Sequence, residues 1–405
     1  MKTFQKNYLK IVCRGRVGWL RMIPTSLGVA LAFGRGIAEA QPEYYAQYIG
    51  FTQFYGGYYA SQAGGVNNDG QEAFSSYTPL QSNTDEWGAY LNNTSGGPTY
   101  LGTLGGYESE ANGINDYGQV VGVSDTASEY NHAFLYSNGT MTDLGTLGGS
   151  ESSAYGINNS GQVVGEAQPA GSTTFHAFLC SNGTMQDLGT LGGLGGGESE
   201  AYGINRSGQI VGQASISGDT ATHAFLYSAG QMTDLGTLGG TYSVAYAINN
   251  EGQVVGSATA LSGANHAFVF SEGKMTDLGT LGAGTFSEAQ GINDSGQVVG
   301  MANINPNGPD IYHAFIYTGG TMYDLNNLVT NPIMGQAIYD AAGINDSGQI
   351  LALSGDPGGG TFGGAVYLLT PVPEPASLAF VFIGVTYLVT RRLTALFSCH
   401  CQALH

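Results

Sequence analysis

What this 405-residue chain has least of is charge, and above all positive charge. Charged residues make up 10% of it, and its eleven Lys and Arg are nearly all at the ends. Seven lie in the first 35 residues (Lys2, Lys6, Lys10, Arg14, Arg16, Arg21 and Arg35), and Arg391 and Arg392 stand near the other end. Between residues 41 and 370 only Arg206 and Lys274 remain, against 28 acidic residues, so that stretch carries a net charge near −26. Nucleic-acid binding depends on Lys and Arg displacing counterions from phosphates, which excludes the body as a nucleic-acid binder. Adhesion of the body to anionic headgroups is excluded on the same ground. Cationic partners and divalent ions such as calcium stay open.

Cysteine is almost as scarce. Of Cys13, Cys180, Cys399 and Cys401, only Cys180 falls within the acidic body, so the body holds no internal disulfide. A domain of this size stabilises itself by burial and needs no covalent staple. Cys180 takes a position where sister repeats carry Tyr, which predicts a buried structural thiol. Catalytic patterns are missing too. No GxSxG, HExxH or P-loop occurs, and no nucleophile–base pair stands out. The glycine clusters Gly148-Gly149 and Gly195–Gly197 lie between repeats rather than before helices, so they do not cradle phosphate.

Hydrophobic residues (42%) and 66 glycines spread along the chain fit short strands joined by tight turns. A repeat confirms that pattern. The motif GIN-x-x-GQ begins at Gly65 (as GVNNDGQ), Gly113, Gly156, Gly203, Ala247, Gly291 and Gly343. HAF, followed by an aliphatic residue, begins at His132, His176, His223, His266 and His313, with degenerate forms at Gly88–Leu91 and Gly364–Tyr367. DLGTLG begins at Asp143, Asp187, Asp234 and Asp277, altered to DLNNL at Asp324 and YLGTLGG at Tyr100.

Each repeat reads as four strands. In one, Ser153–Asn158 is the first, Gln162–Ala167 the second, His176–Cys180 the third and Thr184–Leu191 the fourth. Apolar or small residues occupy both faces, as in sheets covered on both sides. This period and this two-sided burial predict a seven-bladed β-propeller, each four-stranded antiparallel blade packed between two neighbours. A β-solenoid, whose coils are shorter, is the alternative. The seventh repeat lacks a fourth strand. Tyr48-Ile49-Gly50-Phe51 resembles Tyr100-Leu101-Gly102-Thr103 and is expected to supply it beside Ala365–Leu369, closing the ring.

The ends read as addresses. Residues 1–40 join a basic region, the apolar run Met22–Phe33 and small residues to Ala40, the pattern of a secretory signal peptide. The body spans 41–370. Residues 371–392 contain Val372-Pro373-Glu374-Pro375, the apolar span Ala376–Thr390, and Arg391 and Arg392, which would stay cytoplasmic behind a membrane anchor. A short tail, 393–405, follows. Pro-Glu-Pro, apolar span and Arg-Arg in this order resemble the PEP-CTERM sorting signal of Gram-negative bacteria. That resemblance implies an exosortase-type protease as partner. The tail departs from the family, whose members usually end just after the basic residues. HAF with its adjoining GIN-x-x-GQ and DLGTLG motifs resembles the HAF extracellular repeat family over about residues 88–350, which implies export and a β-rich body but assigns no chemistry.

The repeated His132, His176, His223, His266 and His313 define the repeat, and each is expected to make one structural hydrogen bond. Asp143, Asp187, Asp234 and Asp277 are expected to accept from nearby backbone N–H groups, with a cation-binding ring as the alternative. Asn115, Asn158, Asn205, Asn249, Asn293 and Asn345 predict Asx turns. Function belongs to what breaks the repeat. The variable second-to-third-strand loops carry Asp125, Glu129, Asp219 and Asp310 on one face of the disc, which makes that face the candidate ligand surface. No cofactor is required. The sequence thus predicts an exported cell-surface or matrix protein, a non-catalytic binding or structural module for exopolysaccharide or surface proteins. The rivals are a propeller-fold hydrolase or lyase acting on carbohydrate, recognisable by a carboxylate pair confined to one or two blades at the central mouth, and a calcium-dependent structural protein.

Overall fold

The computed structural model describes residues 8–13, 16–21, 41–49, 62–78, 86–93, 96–192, 197–216, 221–306, 311–331, 333, 337–355 and 365–373. The chain divides into two compact units, residues 1–42 and 43–405. In the first, β1 (Tyr8–Cys13) and β2 (Arg16–Arg21) form an antiparallel ribbon within the expected basic region. The expected Met22–Phe33 run, the cleavage point after Ala40, and everything from Glu374 onward lie outside the described residues.

The second unit is an all-β propeller. In one blade, β8 (Gly105–Ile114), β9 (Val120–Thr126), β10 (Asn131–Ser137) and β11 (Thr140–Asp143) pair in that order, all antiparallel. The same four-strand order recurs over 62–100, 148–187, 199–234, 239–277 and 287–324. Blades four and five share one parallel bridge, Thr222 to Tyr242, and otherwise pair internally. The last blade takes β28 (Ala337–Ile344), β29 (Ile350–Gly355) and β30 (Val366–Pro371), and completes itself with β3 (Tyr44–Tyr48). The described residues therefore hold seven four-stranded units, and the last touches the first through contacts of β28 with Gln62–Val66. A solenoid would leave those two ends apart.

The expected closing strand is corrected by a few residues. Tyr48 pairs with Tyr367, and Ile49 N–H donates to Val366 C=O, but the strand runs Tyr44–Tyr48 and so begins four residues earlier, while Gly50 and Phe51 lie outside the described residues. The resemblance to Tyr100-Leu101 held because these residues mark the end of a fourth strand rather than its middle. For the same reason the fourth strands stop at the Asp of DLGTLG: Thr184–Asp187, not Thr184–Leu191. The Leu-Gly-Thr-Leu-Gly stretch is a connection in which Gly189 takes φ +72°, a left-handed value open to glycine. The last strand also passes the expected boundary at 370, and Val372 N–H still donates to Glu43 C=O.

The core is divided into seven apolar clusters, each between two adjacent blades. Val211 and Ala224 of one blade, for example, meet Ala245, Val254, Ala258 and Phe268 of the next. The second-strand glycine after Val-Val or Ile-Val explains itself here. Gly212 lies opposite Phe225, and a Cβ on it would sit 1.9 Å from Glu200 C=O. Cys180 is buried in such a cluster and is free. A buried serine ties neighbouring blades: Ser243 Oγ accepts from Ala224 N–H (2.8 Å) and donates to Gly236 C=O (2.6 Å). In the last blade Asn326 does this work, bonding both N–H and C=O of Ile338 at 2.8 Å.

Candidate functional site

The repeated histidines and aspartates are partners of each other. His132 Nδ1 meets Asp143 at 2.9 Å, His176 meets Asp187 at 2.9 Å, His223 meets Asp234 at 2.9 Å, His266 meets Asp277 at 2.8 Å and His313 meets Asp324 at 2.7 Å. Each Asp also accepts from the backbone two residues on, as Asp234 does from Gly236 N–H at 2.7 Å. Asp324 is held below the ordinary carboxylate range. Burial works against that, and hydrogen bonds from His313 and Asn326 outweigh it. Each pair pins the outer hairpin of its blade. In the first and last blades Tyr100 and Tyr48 stand at the Asp position, with Gly88 and Ala365 in place of the His. Tyr90 packs on Tyr100 at 5.5 Å and Tyr48 on Tyr367 at 5.7 Å.

First strands line the central channel. Because each runs toward its Asn turn, the turns gather on one face of the disc, and the variable loops and interblade connections on the other. At the turn face Asn67, Asn115, Asn158, Asn205, Asn249, Asn293 and Asn345 are all buried. The expected Asx turns are present: Asn158 Oδ1 accepts from Ser160 and Gln162 N–H. The sequence did not reveal the second role. Each Asn Nδ2 donates to the backbone C=O of the equivalent Asn in the next blade at 2.8–3.1 Å, from Asn67 round to Asn345, which donates back to Asn67. The circuit is complete. A second circuit runs outside it: Asn68 N–H to Asp116, Asp116 N–H to Asn159, Arg206 N–H to Asn250, Asn250 N–H to Asp294, Asp294 N–H to Asp346 and Asp346 N–H to Asn68. It breaks between Asn159 and Arg206, whose side chain has no acceptor.

Val66, Ile114, Ile157, Ile204, Ile248, Ile292 and Ile344 form an apolar collar between two cavities of the channel. Beyond it, toward the loop face, the wall stops repeating. Tyr155, Tyr202 and Tyr246 stand in consecutive blades with ring centroids 5.3 and 5.4 Å apart, whereas the other blades place Gly64, Asn112, Gln290 and Ala342 there. Carboxylates hold the phenols. Tyr155 donates to Glu166 at 2.7 Å, Tyr202 to Glu200, and Tyr246 to Glu288 at 3.2 Å. Gln213 bridges Glu200 and Tyr202 at 3.2 and 3.1 Å and accepts from Tyr242. Burial, reinforced by the neighbouring carboxylates, drives all three phenols far above the ordinary tyrosine range. Burial also pushes Glu166 up to about 7, and it raises Glu110 and Glu288. Asp340 is pushed to about 7 by burial and then by Glu288, and its Oδ1 has no hydrogen-bond partner.

The sequence-predicted loop residues are only partly reached. Asp125 lies within the second strand of its blade, which ends at Thr126, and Glu129 is exposed at φ +65° in the loop that follows. Beside them Tyr107 and Tyr130 are 70% and 50% exposed. Asp219 and Asp310 lie outside the described residues. Of the sorting motif, Val372 and Pro373 are described, and Glu374, Pro375, Arg391 and Arg392 are not. Among the described residues no group of three or more His, Cys, Asp or Glu converges as metal ligands would. The Tyr–Glu arc escaped the sequence reading because its members differ between repeats.

No known family model matches the chain, and no curated protein matches it. Similar solved structures include the β-propeller domain of the Trilobed protease from Pyrococcus furiosus (10% identity, 78% of this chain and 100% of that one, TM-score 0.49). The Pyrococcus horikoshii acylaminoacyl peptidase is similar at 11% identity over 80% of this chain and 54% of that one, TM-score 0.48. XC5397 of Xanthomonas campestris, described as a gluconolactonase, follows at 10% identity over 78% and 88%, TM-score 0.37.

Proposed function

We propose that this propeller is exported, sorted at its C-terminus by an exosortase-type protease, and binds exopolysaccharide at the cell surface or matrix without cleaving it. The observation that carries the binding half is the arc Tyr155, Tyr202 and Tyr246, three adjacent tyrosines open to the channel in three blades only. Rigid aromatic side chains flanked by carboxylates and amides suit sugars. The rings cover the apolar C–H faces, and the acidic and amide groups accept and donate hydrogen bonds to hydroxyls. Tyr107, Tyr130, Asp125 and Glu129 extend the same chemistry over the loop face.

The repeated His–Asp pairs recur on the outer hairpins of five blades, where a structural clamp accounts for them. Each His Nδ1 is held by its Asp, and each Asp by a backbone N–H. Export and sorting rest on the basic and apolar N-terminus and on Val372-Pro373-Glu374-Pro375 with Arg391 and Arg392. The test is retention of the full chain on immobilised surface polysaccharide, together with fractionation of the producing cells. Retention that falls at least ten-fold in a Tyr107→Ser, Tyr130→Ser, Tyr202→Ser variant with unchanged melting supports the binding half. Unchanged retention removes the loop face from the account, and recovery of the full chain in the cytoplasm removes export.

A further inference from the structure

The arc has an electrostatic property that sugar hydroxyls alone do not use. Glu166, Glu200, Glu288 and Asp340 stand in blades three, four, six and seven, close enough that Glu200 raises Glu166 and Glu288 raises Asp340. Nothing positive balances them. Among the described residues every ion pair is a His–Asp clamp, and neither Arg206 nor Lys274 joins one. Asp340 Oδ1 is shut off from solvent with no donor at all, which is rare for a buried carboxylate oxygen. Burial of like charges without a cation is unfavourable, so this wall gains from any cation brought to it.

The kind of cation follows from the walls. A hard metal ion wants six or more oxygens converging on one point, and among the described residues not even three His, Cys, Asp or Glu side chains gather as ligands would. An anion is repelled. An ammonium group needs only two or three acceptors and benefits from aromatic faces within about 6 Å, which three adjacent tyrosines provide. Carboxylate-bound phenols are richer in electrons, which strengthens that attraction.

We propose that the loop-face end of the channel takes a protonated amine, held by Tyr155, Tyr202 and Tyr246 with Glu200, Glu288 and Asp340 behind them. This rests on the polysaccharide assignment above and narrows it to glycans that carry free amino groups.

The experiment titrates the full chain with a fully deacetylated glucosamine oligomer, its N-acetylated counterpart and tetramethylammonium, in wild type, Glu288→Gln and Asp277→Asn. The expected result is saturable binding of the deacetylated oligomer at least ten-fold tighter than the acetylated one. Glu288→Gln should remove most of that preference without lowering the melting temperature, and Asp277→Asn, on the outer hairpin, should not change it. Equal affinity for the two oligomers, or a preference untouched by Glu288→Gln, overturns the proposal while leaving polysaccharide binding intact. Tetramethylammonium bound in the channel with neither oligomer bound supports the cation site and sinks the polysaccharide assignment. No binding of any of the three overturns both.

Discussion

The two ends of the central channel are built from the same seven first strands, and they are chemical opposites. At the turn face one Asn per blade repeats without exception, and every one of its polar atoms is bonded, to its own turn or to the next blade. At the loop face, three residues nearer the start of the same strands, the side chains differ from blade to blade, and carboxylates are buried with no cation beside them. A repeated, satisfied polar group holds the ring together. A varied set of buried carboxylates, one with an oxygen left without a donor, costs stability that protonation or a bound cation offsets. Function in a repeat protein is therefore sought where the repeat fails and the polar groups are left wanting.

Breaking the turn end should have the largest effect. Asn249→Ala strips the bonds to Gln253 and to Asn293 C=O and leaves buried groups without partners, which costs about 3–4 kcal/mol. Chemical denaturation should show this as a shift of midpoint, and a loss under about 1 kcal/mol would mean the circuit adds little.

The loop end should respond with the opposite sign. The folded protein holds the Glu166 proton up to about pH 7, whereas an ordinary glutamic acid releases it near 4.5. Between those values the folded state binds more protons than the unfolded state, so stability falls as pH rises through the window and the penalty is full above 7. Glu166→Gln should thus stabilise by about 1–2 kcal/mol at pH 8 and by little at pH 4. Melting curves at both pH values decide it, and destabilisation at pH 8 would show that the carboxylate is not under stress.

The outer clamps should rank next. His223→Ala removes one hydrogen bond to the half-exposed Asp234, a loss of about 1 kcal/mol. Smallest is a repair. Arg206→Asn offers the acceptor missing from the second circuit and should add about 0.5 kcal/mol, read as a slightly higher melting temperature. A drop would show that Arg206 serves a purpose of its own at the turn-face mouth.

Much of this is legible in the sequence. Strand order, blade period and the borrowed closing strand follow from turn glycines and spacing, because a hairpin is a local object. The His–Asp partnership was also written in the sequence, as a constant separation of eleven residues in five blades, since strands three and four join through a fixed short turn. Taken singly, neither residue names the other as its partner. The Asn circuit was out of reach: its bonds span 43 to 52 residues between neighbouring blades, and 278 at the closure, and no local pattern encodes which carbonyl faces which amide. The arc Tyr155, Tyr202 and Tyr246 has no motif of its own, since the other repeats carry Gly64, Asn112, Gln290 and Ala342 at that position. Its meaning came only when the ring placed those positions side by side.

Hydrogen exchange on the full chain, with and without saturating polysaccharide, tests the contrast between the two ends most directly. Amides of the first strands near Tyr155, Tyr202 and Tyr246 should exchange more slowly with ligand, those of the Asn turns at Asn158, Asn205 and Asn249 should not change, and the polysaccharide should keep its chain length. Protection confined to the Asn turns, or shortened polysaccharide, would contradict the account.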